Sequence, residues 1–462
     1  MIYTIVLVAV VGVLTTVTAV KMLSVRNQTD FLVAGRKLPW TVLVFTLLSS
    51  WIGAGSLFAG GENAFRNGFA ALWQPAGGWL GLIVIWRIAG RARRFAQFTI
   101  PDLLETRYNA AARVLGTIAI IISYTVITSY QFKGGGDILH LIFPAVDRTT
   151  GMYIIASFVI VFTAAAGMAS VAYLDLVIGL LVTTIVIVAV PLLLSAVGGW
   201  EHVRSALPAS HFAPLGDLTI WQALGLTLPT MLLLIGNQGM YQKFFSARSE
   251  RDAKIAVGGW IIGTVILETL LITLSVIGSS KYHPDNPREI MLVSARLGLP
   301  PLVGAILLGG IFAKVLSTAN NFLFSPASNI IHDVYERFIV KERDGRKSLF
   351  MSRVVVVLLG LFALVQAAHF ESILRAALYA YTVYGAAVTP AVLAVFFSKR
   401  VNTAGAITSI ASGTVVTVLW NLAGITVLDA VYPALAISVS CLFVASWVTA
   451  PPPEAKWRPF FE

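Results

Sequence analysis

Cysteine is almost absent: Cys441 is the only one in 462 residues, so no internal disulfide can form, and a lone thiol in an apolar stretch is expected simply to pack. Charge is scarce too. With 12% charged against 57% hydrophobic residues, the chain has too little polar surface to solvate a water-soluble globule of its size. The six histidines, at 140, 202, 211, 283, 332 and 369, show no ligand spacing, which argues against a structural metal site. The glycines of FKGGGD (132–137) lack the Lys-Ser/Thr that completes a phosphate-binding loop, so ATP-driven pumping has no support and no organic cofactor is expected. No nucleophile–base pair points to an enzyme. The net charge of +11 is dispersed between apolar stretches with no basic stripe, which excludes a nucleic-acid partner from the expectation.

What fills the chain instead is about thirteen apolar stretches, most long enough as helices to cross a hydrocarbon core about 30 Å thick. They are read at roughly 2–20, 40–61, 69–89, 112–143, 151–167, 170–195, 221–241, 254–279, 301–331, 350–368, 373–397, 403–424 and 428–450. The pattern predicts an all-α polytopic membrane protein, with the lipid bilayer as its surroundings. The first stretch has no basic residue ahead of it and no small-residue cleavage site behind it, which reads as a retained span. Lys and Arg collect in alternate gaps: Lys21, Arg26, Arg36 and Lys37, then Arg91, Arg93, Arg94 and Arg107, then Lys243, Arg248, Arg251 and Lys254, then Arg337, Lys341, Arg343, Arg346 and Lys347, and last Lys399 and Arg400. The other gaps hold few. By the positive-inside rule the N-terminus is expected outside and the C-terminus in the cytoplasm, in what is expected to be a bacterial inner (plasma) membrane.

Two stretches are interrupted. The second reads TLLSSWIGAGSLFAGGENAF (46–65), in which Gly53, Gly55, Gly60 and Gly61 weaken a helix; the seventh reads MLLLIGNQGMYQK (231–243), with Gly236 and Gly239 around Asn237 and Gln238. The two lie five spans apart. Broken helices in corresponding positions of two five-helix halves point to a transporter built from inverted repeats, with cargo near the midplane where backbone groups are freed.

Five segments then occur in order: DFLVAGRKLPW (30–40), SSWIGAGSLFAGG (49–61), AGMASVAYLD (166–175), GNQGMYQK (236–243) and AKVLSTANNFLFSPASNIIHDVY (313–335). Together they resemble the sodium:solute symporter family along nearly the whole chain. The resemblance implies the leucine-transporter type of fold, a 5+5 inverted-repeat core with broken first and sixth core helices. The chain divides accordingly into 1–39 (an extra N-terminal span and cytoplasmic loop), 40–195 (first repeat), 196–397 (second repeat) and 398–462 (two C-terminal spans and a tail). It also implies sodium-coupled symport of a small-molecule solute by alternating access. Carried over residue by residue, the sodium ligands are the carbonyls of Ser49, Ile52 and Lys314 and the hydroxyls of Ser317 and Thr318. A sodium ion replaces its water shell with oxygens, and carbonyls at a helix break plus hydroxyls supply them without net charge. Asp175 matches the family's acid at the start of the fifth core helix, and with Asn320 and Asn321 it forms a possible second cation site. Lys314 departs from the family, which usually has a small residue there. Its ammonium has three open readings: it pairs with Asp175, it snorkels toward the cytoplasm, or it stands in for sodium and makes transport proton-coupled or ion-independent.

The solute cavity is expected to be lined by Ser56, Gln74, Gln131, Lys133, Leu233, Asn237, Gln238 and Tyr381 or Tyr384. Leu232, Leu233 and Leu234 stand where sugar-carrying relatives place aromatics, which argues against a sugar. Lys133 reads either as a cation facing the solute, for which a small carboxylate-bearing molecule is the first expectation, or as an i,i+4 partner of Asp137. Rival classes are an ion channel, which needs a continuous polar pore, and a transport-inactive membrane sensor.

Overall fold

The computed structural model describes residues 1–22, 36–95, 99–165, 168–339, 345–370 and 372–461. Residues 30–35 and 166–167 of the resembling segments, and the basic residues Arg26, Lys341 and Arg343, lie outside these. Among the described residues the regular structure is helical, and eleven stretches are long and apolar enough to cross a membrane, joined by the shorter apolar helices Ile2–Val17 and Trp40–Trp51.

The principal helices are α1 (Ile2–Met22), α2 (Trp40–Trp51), α3 (Gly60–Asn67), α4 (Trp73–Phe95), α5 (Ala110–Ile142), α6 (Arg148–Ala165), α7 (Met168–Val197), α8 (Ile220–Gly236), α9 (Gln238–Ser246), α10 (Glu250–Ser279), α11 (Pro301–Asn329), α12 (Gly345–His369), α13 (Ile373–Phe397), α14 (Thr403–Leu422) and α15 (Val431–Val448). The second expected span is thus the pair α2 and α3, and the seventh is the pair α8 and α9. Local chemistry sets the ends. Asn109 accepts from the amide of Ala112 at 3.0 Å to start α5, Ser249 from Asp252 at 3.0 Å to start α10, and Thr219 forms a reciprocal cap with Gln222 at α8. Such caps satisfy amides that the first helical turn leaves without partners, each worth about 1 kcal/mol.

The chain leaves α2 because Ile52 turns extended (φ −83°, ψ 106°), and it re-enters helix through a π-helical turn, Gly55–Ala59. It leaves α3 at Gly68, whose φ of 59° belongs to the left-handed region; a side chain there would also overlap the backbone of His211. In the other pair, Asn237 (φ −58°, ψ 110°) interrupts the helix and then caps α9 itself, its Oδ1 accepting from the amide of Met240 at 3.2 Å.

Burial separates inner from outer helices. Of the most apolar window in each, 83% is buried in the stretch containing α11 and 89% in α13, against 28% in α15. α11 packs on α5, α7 and α1, α2 lies between α7 and α10, and α8 between α4 and α13. The outer faces keep large apolar side chains exposed, among them Leu80, Ile83, Val161, Ile187, Leu358 and Phe443, as a helical bundle solvated by lipid requires.

Candidate transport site

The break in α2 is held by its neighbours. The amide of Ala54, freed by the interruption, donates to Gln131 Oε1 on α5 at 2.8 Å. Gly53 lies against α11, where a Cβ would come 2.6 Å from Thr318 Cγ2, so only glycine permits the approach. Thr318 Oγ1 donates to the carbonyl of Ile52 at 3.3 Å. The second break is closed from α13 and α5: Tyr384 donates to the carbonyl of Gly236, and Tyr124 donates to Asn237 Oδ1 at 3.0 Å.

Below the first break lies a buried polar cluster around Asp175. Its Oδ2 accepts from Thr46 at 2.8 Å, Ser50 at 3.0 Å and Asn321 Nδ2 at 3.4 Å, while Ser317 donates to Oδ1. The cation of the cluster is Lys243, whose Nζ is 3.3 Å from Asp175 Oδ2 and also donates to the carbonyl of Thr46 at 3.1 Å, to Ser50 and to Asn321 Oδ1 at 3.3 Å. Lys243, counted above among loop residues that set orientation, is fully buried on α9. Of the three readings of Lys314, the pairing with Asp175 is therefore replaced by Lys243–Asp175. Lys314 is equally buried, with its ammonium 3.5 Å from the carbonyl of Leu48 in the last turn of α2. It has not snorkelled. A flexible stem on an inward-facing helix position carries the charge to the Leu48 carbonyl instead, which also accepts from the amide of Ile52 at 3.2 Å.

The remaining expected residues separate into two groups. Ser56, Gln74 and Tyr381 line one cavity together with Trp51, Thr230 and Glu268. It has about 20 Å³ of free space, the scale of one water. Tyr381 stacks on Trp51 with ring centroids 6.5 Å apart, and its hydroxyl lies 3.3 Å from that of Tyr130. Gln131, Asn237 and Tyr384 hold the two breaks in place, as described. Gln238 Oε1 accepts from the amide of Ile100, and Leu233 lies in the apolar core, so neither is among the residues lining the cavity. Lys133 also departs from expectation: it donates to the carbonyl of Phe370, and Asp137 is paired with Arg288 at 2.9 Å and Arg148 at 3.5 Å. Asn320 lines a niche with Leu14, Phe158, Leu174 and Ser317, and its Oδ1 is buried without a hydrogen-bond partner. The Ser49 hydroxyl is buried without a hydrogen-bond partner.

Sequence reasoning missed Glu268. It sits inside the apolar run ILETLLITL of α10, and an acid in the middle of a span is a functional candidate by position alone. Its Oε1 accepts from Trp51 Nε1 at 3.1 Å and Ser56 Oγ at 3.2 Å, and its Oε2 from Trp79 Nε1 at 3.0 Å. The expectation of isolated histidines also needs correcting at one place. His332 Nε2 lies 2.9 Å from Asp102 Oδ2, and Asp333 is close enough to share a metal with them, but Arg113 already supplies a cation there, bonding Asp102 and lying 2.6 Å from Glu105.

Comparisons with known proteins agree with this architecture. The model of the sodium:solute symporter family matches residues 31–413. Among curated proteins, the osmoregulated proline transporter OpuE of Bacillus subtilis is 24% identical over 93% of this chain and 92% of its own. The high-affinity proline transporter PutP of the same organism is 25% identical over 93% and 94%. Among solved structures, a substrate-bound, outward-open sodium-coupled sialic acid symporter superposes with a TM-score of 0.86 at 16% identity, covering 98% of both chains. A nucleobase-cation-symport transporter in a closed conformation gives 0.61 at 12% identity, covering 94% of this chain and 99% of that one.

Proposed function

This chain belongs to the sodium:solute symporter family, and from that premise we propose how its two broken helices work. It is an integral membrane protein with the leucine-transporter fold, a secondary active transporter and not an enzyme, and it couples sodium to the movement of a small organic solute. The sodium ion sits at the break of α2, ligated by the carbonyls of Ser49, Ile52 and Lys314 and the hydroxyls of Ser317 and Thr318. The observation that carries this placement is the approach of α11 to the break, with Thr318 Oγ1 3.3 Å from the carbonyl of Ile52. Thr318 and Ile52 meet there across a helix interruption, the setting in which carbonyls are free to bind a cation. Asp175 and Asn321 form the adjoining polar relay. The solute binds where Ser56, Gln74 and Tyr381 meet, in a cavity that has to widen beyond its present free space of about 20 Å³ to admit it. Residues 40–195 and 196–397 act as the two repeats that rock against each other, with the basic loops in the cytoplasm of a bacterial cell and the N-terminus outside.

A second reading rests on Lys314. Its ammonium, 3.5 Å from the carbonyl of Leu48, brings a fixed positive charge to the same break, and two like charges cannot share carbonyl ligands at small cost. In that reading Lys314 stands in for sodium and coupling passes to a proton or is lost. Uptake of L-proline, the solute named for two relatives, and of other small solutes into proteoliposomes with an imposed sodium or proton gradient separates the two. Sodium-driven accumulation that Ser317→Ala and Thr318→Ala weaken supports the first; a solute driven by protons alone supports the second.

A further inference from the structure

Among the described residues, buried acids are paired with cations, with one exception. Asp102 meets Arg113, Asp137 meets Arg288, Asp175 meets Lys243, Asp252 meets Arg248, Glu289 meets Arg148, Asp333 lies 3.8 Å from Arg113, and Glu336 lies 3.5 Å from His332. Among the described residues Glu268 alone is buried with only neutral partners, two indole N–H groups and one hydroxyl. A carboxylate within a span is costly and ordinarily pairs or marks a cargo path. An ionised carboxylate has about four lone-pair positions, and the three donors leave one for a further donor. By this count the unfilled position is on Oε2, which has one donor against two on Oε1, and Glu268 is part of the cavity wall beside Trp51 and Tyr381. The stacked rings of Trp51 and Tyr381 place aromatic surface next to the same carboxylate, and aromatic faces attract a cation.

We infer that Glu268 is the specificity-determining residue of the transporter and that it accepts a charged N–H group of the solute, so that the cargo is a small molecule bearing a primary or secondary ammonium. The inference rests on the proposal that this cavity is the solute site. Trp79 and Ser56 orient the carboxylate, and Trp51 with Tyr381 covers the ammonium from the side. Because Glu268 supplies the countercharge, a nitrogen-free analogue of the same shape leaves the acid unpaired and is rejected.

Matched probes test it: L-proline with cyclopentanecarboxylate, L-alanine with propionate, and putrescine with 1,4-butanediol. Binding is read as a saturable thermal shift of the purified full chain, and transport as sodium-driven uptake into proteoliposomes. At least one ammonium probe is expected to bind while its partner does not, with a loss of about a hundredfold in Glu268→Gln, the order expected when one side of a desolvated charge pair is removed. Glu268→Asp is expected to recover part of the affinity, which a merely structural role of the acid does not predict. Trp79→Phe, which keeps the charge and removes one orienting donor, gives a milder loss and covers the case in which Glu268→Gln does not fold. The inference is overturned if no ammonium probe gives a saturable shift, if a nitrogen-free partner binds as well, or if Glu268→Gln keeps the affinity and alters only the sodium dependence. A nitrogen-free solute accumulated on a sodium gradient leaves the transporter reading standing and removes this one. Glu268-dependent binding without accumulation does the reverse.

Discussion

Two acids lie near the broken helices, and they are solvated in opposite ways. Asp175 is enclosed by five donors, one of them the ammonium of Lys243, and its charge is balanced inside the protein. Glu268 has three donors, all neutral, and a cavity at its side. The difference teaches what each is for. A buried charge with an internal countercharge holds helices in register, here α2, α7, α9 and α11. One without a countercharge is solvated well enough to persist and poorly enough to gain from a cation that arrives from outside.

The largest effects are expected where that internal balance is broken. Lys243→Met or Asp175→Asn alone leaves its partner buried and uncompensated or under-bonded, with an expected cost of roughly 3–5 kcal/mol. The double variant should cost less than the sum. Thermal melting of the four proteins in detergent measures this, and additive single effects would dissolve the comparison by showing that Lys243 and Asp175 act separately. Next comes Trp79→Phe, which removes one hydrogen bond to the other acid; a bond to a charged group is worth about 1.5–3 kcal/mol. That loss should appear in solute affinity more than in melting temperature, and the opposite split would mean that Glu268 is a structural acid like Asp175.

Smaller again are the hydroxyl deletions. Ser317→Ala and Thr318→Ala each remove one oxygen from the proposed sodium site, and sodium stimulation of uptake should weaken by about tenfold, or about 1.4 kcal/mol. Wild-type sodium dependence in both would withdraw the site, and sodium dependence that first arises in Lys314→Ala would assign the break to the lysine. The smallest expected change is the stability of Glu268→Gln. Glutamine has nearly the same shape and keeps one carbonyl oxygen, while its amide NH2 faces a donor that the carboxylate had accepted, so melting should shift by the equivalent of about 1 kcal/mol, the low end for one unpaired donor. A collapse comparable to that of Asp175→Asn would erase the distinction between the two acids.

Hydropathy was sufficient for the spans because a bilayer demands about 20 apolar residues with every backbone group satisfied within the helix, a constraint that acts on each stretch separately. The breaks were legible for a similar reason: Gly53 and the Asn237–Gln238 pair weaken their helices locally, and Ile52 and Asn237 do depart from helical geometry. Ser56, Gln74 and Tyr381, expected around one cavity, were brought to it. Partnership was not legible. Lys243 looked like a loop cation until α9 buried it against Asp175, and Lys133, four residues from Asp137, yielded that acid to Arg288, 151 residues away in sequence. Asn320 and Asn321 are adjacent yet on different faces of α11, and only the neighbours of that helix assign Asn321 to Asp175 and Asn320 to the niche with Leu14. The chain by itself thus determined its spans, its two helix breaks and its family, since these depend on composition and order along the sequence. Which acid is neutralised from within and which keeps only neutral donors was decided by tertiary structure alone, because countercharge depends on distances between helices that sequence spacing does not contain.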